Sequence, residues 1–406
     1  MPTHTRRTTR AAAGLAVGLV LCVGLSSCSG DSDAEQAQGN PSSGAKGSSS
    51  ATPEAPVKLT TNVKNRTAVP VDKEIRVEAD GGTLQTMEVL SGKGTTLDGG
   101  ITRDKKAWVA KARLEPGTTY TAKAVTESPS GTTRRTSTTF RTVDLSLDQQ
   151  TYAAIAPLDG ETVGVGMPVI VTFDVPVTDK KAIEKHMTVT SSPQQAGSWH
   201  WLSDNEVHWR PKTYWRAGTD VSVDVDVNSV PAGNGIYGQE SRTISFHVGD
   251  AVVSKVNAQT HQMQTFINGK LVKTTPITTG KPGHTTRSGV KVIIEKFRQK
   301  RMNSETVGID PNSEDGYDID DVEYAMRVTY SGEFLHAAPW SVADQGHANV
   351  SHGCTGMSTA DAKWIYDHSK RGDVVEYTGT DRPMTLTNGY GDWNASYATW
   401  SAGSAL

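Results

Sequence analysis

From residue 57 onward, apolar positions recur every second residue far more often than every third or fourth. The stretch VSVDVDV at 221–227 alternates valine with Ser and Asp. Successive strand side chains point to opposite faces, so this period buries one face and wets the other. Two longer segments echo each other. AWVAKARLEPGTTYTAKAV leads to STTFRTV, and EVHWRPKTYWRAGTDVSVDV leads to RTISFHVG. In each, a Trp-bearing strand is followed by a Gly-Thr turn and an alternating strand. Gly117 and Gly218 correspond, as do Phe140 and Phe246. The spacing predicts two consecutive β-sandwiches, over 57–145 and 146–249.

After Asp250 the pattern changes. Residues 251–280 read as a β-meander with an Asn268-Gly269 hairpin turn. GVKVIIEKF and YAMRVTYSGEFLH are further strands. One helix stands out: Ser358 and Asp361 form a capping pair, and Ala362, Ile365 and Tyr366 give an apolar stripe. Lys370 and Arg371 fall in its last turn, and Gly372 is placed to end it. This domain is expected over 250–378. The tail, 379–406, carries too many large apolar groups for a solvated end and is expected to pack back on the chain.

The fold class that follows is mainly β: two Ig-like sandwiches, then a third β-domain with a short helix and a packed C-terminal tail. Composition agrees, with 39 Gly, 18 Pro and many Thr and Val. Neither sandwich has a cysteine pair, so they are not disulfide Ig domains. Spacing is their simplest role, and binding of wall polymer by a sandwich face is the alternative. With 41 basic and 44 acidic residues the net charge is −3, which leaves no electrostatic footprint for nucleic acid.

The first residues are processing signal. Arg6, Arg7 and Arg10 precede the apolar run AAAGLAVGLVLCVGL, which is short of the ~20 residues a membrane span needs. It ends in LSSC, which resembles the lipobox of bacterial lipoproteins, with Cys28 as the lipidated residue and new N-terminus. An ordinary secretory cleavage or a retained anchor are the other readings; the Arg6-Arg7 pair resembles a twin-arginine signal, but its flanks fit that pattern poorly. The resemblance places the protein on the outer face of the cell membrane, held by lipid. Residues 29–56 hold almost nothing large and apolar, and so form a flexible tether.

Of three cysteines, Cys22 leaves with the signal and Cys28 would carry lipid. Cys354 is then alone in an oxidising compartment, where structural cysteines come in pairs. An unpaired thiol there is an accident or a nucleophile. A nucleophilic thiol needs a base and a local field that lowers its pKa. His336, His347 and His352 are the candidate bases, and spacing does not choose among them. No regular ligand spacing accompanies the thiol, so neither a metal nor a cofactor is expected.

The run HAAPWSVADQGHANVSHGCTGMS resembles the active-site signature of the L,D-transpeptidases: a histidine, a spacer, then Ser/Thr-His-Gly-Cys. Here the spacer between His336 and Ser351 is 14 residues. The likeness extends upstream through RMNSETVGI and DGYDIDDVEYAMRVTYSGEFLH, which look like that family's substrate lid and the strand after it. It also takes in the leader, the two sandwiches and the Trp-bearing tail.

The resemblance implies roles. Cys354 would be the nucleophile and His336 its base, with the Ala337 carbonyl holding the imidazole tautomer. His352 would support the loop, and the N–H groups of Gly353 and Cys354 would form the oxyanion hole. Tyr317 and Met302 would cover the acyl donor. Ser331, Gly332 and Trp340 would line the donor and acceptor grooves. Where many members carry Asn two residues after the cysteine, this chain has Gly356. The implied partners are peptidoglycan stem peptides, and carbapenem-type inhibitors would acylate Cys354. The implied reaction is 3→3 cross-linking through a thioester. An L,D-carboxypeptidase or a wall-attachment transferase would carry the same motif. A non-catalytic wall-binding lipoprotein is the reading from another class. A redox thiol lacks a resolving cysteine.

Overall fold

The computed structural model describes residues 55–63 and 66–406. The signal, Cys28 and nearly all of the tether lie outside the described residues. No helix among the described residues is long and apolar enough to cross a membrane.

The first sandwich faces a sheet of strands Lys58–Thr61, Arg76–Asp80, Ala107–Ala110 and Gly99–Ile101 against a sheet of Thr83–Ser91, Thr119–Glu127 and Thr133–Arg141. The second pairs Thr162–Val163, Arg242–Val248, Asp220–Val225 and Met187–Ser192 against Gly197–Trp201, Glu206–Pro211, Val169–Phe173 and Ala153–Ala156. The sequence echo has a physical basis. Gly117 and Gly218 both turn the chain at left-handed φ, +57° and +76°. Phe140 and Phe246 reach aromatic partners in the two cores, Tyr120 at 5.3 Å and Trp215 at 6.2 Å. The sandwiches are joined by hydrogen bonds: Arg113 donates to Asn228 O and to the Asp226 carboxylate, and Ser229 Oγ donates to Leu114 O.

The third domain holds two sheets. One orders Lys270–Pro276, Gln262–Ile267, Val252–Asn257, Val374–Thr378 and Gly289–Val292. Its first three strands are the predicted meander, turned by Asn268 and Gly269 at positive φ. The other orders Glu295–Asn303, Asp318–Arg327, Phe334–Ala337 and Thr355–Met357. Its last two strands run parallel, pairing His336 with Gly356. Residues from both sheets and the helix, among them Met263, Leu335, Met357 and Ile365, share one core.

That helix spans Thr359–His368, with Ser358 Oγ accepting the Asp361 N–H. It stops short of the expected Lys370-Arg371 turn because Ser369 is already extended. Gly372 therefore does not end it. Instead Gly372, at φ +93°, lies against the second sandwich, where a Cβ would come within 2.7 Å of the Gly164 nitrogen. Gly164 and Gly166 donate to the Arg371 and Gly372 carbonyls. Val292, Ile294, Val374 and Tyr390 join the core of the second sandwich, so one apolar interior runs through both domains.

The tail also packs on the second sandwich, in a short helix Tyr397–Ser401. Trp400 is fully buried, stacks on His200 at 4.5 Å and donates to Ser198 O. The Arg210 guanidinium lies 4.8 Å from the Trp393 and Trp400 rings. Beside it, buried His208 bridges Glu206 and Asp392 at 2.8 Å each.

Candidate active site

His336 sits on the strand Phe334–Ala337, buried beside the parallel strand Thr355–Met357 that begins one residue after Cys354. Parallel pairing is what brings together two residues 18 apart in sequence. Both side chains line one pocket, whose walls include Met302, Tyr317, Trp340 and His352. His347 is exposed and outside it.

His336 Nδ1 lies 2.8 Å from the Ala337 carbonyl. A carbonyl only accepts, so Nδ1 carries the hydrogen and Nε2 keeps its lone pair. Burial holds the imidazole below its usual pKa, hence neutral at pH 7. The thiol departs from expectation. Burial pushes Cys354 from 9.0 up to about 12, and Glu333 adds to this, against the Phe334 N–H and the Lys291 ammonium. Loss of hydration therefore disfavours the thiolate more than the Phe334 N–H and Lys291 favour it, and the S–H donates to Gly332 O at 3.6 Å. The resting pair is neutral thiol and neutral imidazole.

The loop before the thiol is fixed by polar contacts. Ser351 Oγ donates to Cys354 O at 2.6 Å and accepts the Gly353 N–H at 3.1 Å. Thr286 Oγ1 donates to Gly353 O at 2.8 Å. Gly353 stands at φ +118°, where a side chain strains the backbone. The expected pair of oxyanion donors is thus divided. The Gly353 N–H is already engaged by Ser351, while the Cys354 N–H donates to no other described residue.

The other expected site residues separate. Trp340 is more than half exposed, its ring 5.9 Å from that of His336. Tyr317 lies 5.2 Å from the His352 ring, its hydroxyl pushed up to about 12 by burial and by Cys354. Met302 and Tyr317 flank the turn between strands Glu295–Asn303 and Asp318–Arg327. Ser331 is not among the pocket's walls: its N–H donates to Asn388 Oδ1 of the tail and its Oγ accepts from the Asn388 amide, 2.9 Å each. Gly332 contributes its carbonyl to the sulfur rather than a groove wall. Gly356 has a steric reason: a Cβ there would meet Ala338 Cβ at 2.9 Å and Thr278 Cγ2 at 3.0 Å.

Two clusters escaped the sequence reading. Behind the loop, Glu333 accepts from the Arg287 side chain at 2.9 Å and from fully buried Lys291 at 2.5 Å. Burial lowers Lys291 to about 8 despite that carboxylate. The one available signal was a lysine inside the apolar run VKVII. At the pocket wall, Asp315 meets Lys281 at 2.5 Å, His284 at 3.0 Å and His352 at 3.3 Å. The three contacts hold the Asp315 carboxyl far below its usual range. His284, Asp315 and His352 could hold a cation, their ligand atoms all lying within 4.8 Å of one another. Their separations of 31 and 37 residues from Asp315 hid this from any spacing rule.

Known proteins match both the sandwiches and the domain that holds this pocket. Residues 66–231 match a bacterial Ig domain model and 251–376 match the L,D-transpeptidase catalytic domain. The Ig match runs across both sandwiches. L,D-transpeptidase 2 of Mycobacterium tuberculosis (strain CDC 1551 / Oshkosh) is 36% identical over 350 residues, covering 86% of this chain and 85% of that protein. L,D-transpeptidase 5 of Mycobacterium tuberculosis (strain ATCC 25618 / H37Rv) is 33% identical, covering 82% and 73%. Among solved structures, an L,D-transpeptidase in complex with imipenem is 38% identical with a TM-score of 0.50, covering 56% of this chain and 99% of that one.

Proposed function

The chain belongs to the L,D-transpeptidase family, and on that premise we propose that it cross-links peptidoglycan through a thioester on Cys354. The observation that carries this reading is one pocket presenting the Cys354 thiol and a buried, tautomer-fixed His336 together.

The neutral resting pair sets the first step. Sγ attacks the carbonyl carbon of the residue before the terminal D-amino acid of a donor stem. As the S–C bond forms, the thiol proton passes to Nε2 of His336. The imidazolium then protonates the leaving amine, the C–N bond breaks, and the thioester remains. An amine of a second stem attacks that thioester, and the thiol is released with its proton restored. The Cys354 N–H supports the oxyanion in both tetrahedral intermediates. The Ala337 carbonyl stabilises the transient imidazolium, a task for which a carboxylate is not required. Met302 and Tyr317 cover the donor, and exposed Trp340 offers an aromatic face at the pocket rim.

The lipobox-like LSSC supports an anchor through Cys28 on the outer face of the membrane, with the tether and sandwiches carrying the active site toward the wall. Carbapenems would acylate the same sulfur.

The test is incubation of the purified protein with disaccharide-tetrapeptide, read by mass. Dimers that have lost one D-amino acid are expected from the native enzyme and none from Cys354→Ala. Trimmed tripeptides alone would replace cross-linking by hydrolysis, and products formed without Cys354 would remove the reading.

A further inference from the structure

His284, Asp315 and His352 come from three separate elements. His284 lies in the loop before the strand Gly289–Val292. Asp315 lies in the segment between strands Glu295–Asn303 and Asp318–Arg327, two residues before Tyr317, which lines the pocket. His352 lies in the nucleophile loop, two residues before Cys354. Both imidazoles direct Nε2 at one carboxylate, His284 to Oδ2 at 3.0 Å and His352 to Oδ1 at 3.3 Å. Their rings meet edge to face with centroids 4.8 Å apart. Two imidazoles and a carboxylate are a donor set suited to Zn2+ and its neighbours, with one position left open. The ligand atoms, all within 4.8 Å of one another, need to close by at most about 1.5 Å to reach the roughly 3.3 Å spacing of a tetrahedral site.

We infer that His284, Asp315 and His352 form an inhibitory binding site for a divalent transition-metal cation of the Zn2+ class. The present occupant of the position is the Lys281 ammonium, 2.5 Å from Asp315 Oδ1. Its side chain is one-third exposed, so it can swing into water when a cation arrives. The ion would tie the segment that carries Tyr317 to the nucleophile loop. That restricts the opening through which a donor stem enters and holds His352 against that segment. His352 and Tyr317 line the pocket itself, so the constraint falls on its wall. Binding depends only on this geometry, whereas the inhibition depends on Cys354 being the nucleophile proposed above.

Zinc chloride titrated into the purified full chain, followed by calorimetry, separates these points. One ion per chain is expected. His284→Gln and Asp315→Asn should each weaken binding by more than about tenfold. Lys281→Ala should tighten it, and Cys354→Ser should leave it in place. Zinc should slow carbapenem acylation of the native enzyme, read by intact mass, and leave His284→Gln unaffected. Binding that ignores His284 and Asp315, or that disappears in Cys354→Ser, overturns the site, as does no binding at millimolar zinc. Unchanged acylation under saturating zinc overturns the inhibition. If acylation is absent even without zinc, the catalytic reading fails while the site still stands or falls by calorimetry.

Discussion

The neutral thiol makes a sharp kinetic prediction. In an enzyme with a preformed thiolate–imidazolium pair, sulfur reactivity levels off at mildly acid pH. Here burial pushes the thiol from 9.0 up to about 12, an energetic cost of about 4 kcal/mol against the anion. At pH 7 that leaves a thiolate fraction on the order of 10⁻⁵. Alkylation of Cys354 by iodoacetamide, followed by intact mass, should therefore rise about tenfold per pH unit from about pH 6 to about pH 10, with no plateau. His336→Gln should leave this profile nearly unchanged, because the imidazole does not set the resting charge of the sulfur. Acylation by a carbapenem should behave differently. There His336 must be neutral to take the proton, and its pKa lies below the usual 6.5. Acylation should stay level as pH falls past 6.5 and decline only once the imidazole protonates, with His336→Gln losing about 10²-fold or more. An alkylation plateau below about pH 8 would refute the neutral pair.

Gly353→Ala places a side chain at φ +118° with no atom nearer than 3.6 Å; the backbone strain, about 1–3 kcal/mol, should leave the fold intact by circular dichroism and slow acylation by tenfold or more. Glu333→Ala strands fully buried Lys291 and should cost about 3–5 kcal/mol in denaturant unfolding, part of which returns when Lys291→Met is added. For His208 burial alone would lower the pKa, but Asp392 and Glu206 outweigh it and hold the ring at about 9. Because this folded value is above the ordinary 6.5, the stability it confers is full below about 6.5 and lost as pH rises through about 9. Thermal unfolding should show that decline in the native chain and lose it in His208→Gln.

Much of the architecture was legible along the chain. A period of two, broken by Gly and Asn at turns, depends only on which side chains face water. It marked the sandwiches and the Asn268-Gly269 meander without reference to any neighbour, and the Ser358–Asp361 capping pair marked the helix start in the same local way. The excess of Trp and Tyr in the tail was equally local evidence of burial. The thiol and its histidine were legible because their loop and strand stand close enough in sequence to leave a motif.

The tertiary structure decided what depends on approach between distant segments. Gly372 looks like a helix stop, yet its conformation serves contact with Gly164, more than 200 residues away. Ser331 reads along the chain as a groove residue, and only the fold shows its bonds to Asn388 of the tail. A thiol's pKa is set by the hydration and charges that the fold leaves around the sulfur, so no motif could reveal the upward push on Cys354. The Lys291–Glu333 pair and the convergence of His284 and His352 on Asp315 likewise exist only because sheets and loops bring charges from separate strands within bonding distance. Alternation specifies which face is buried; the partner that each buried polar group meets is a property of the folded chain alone.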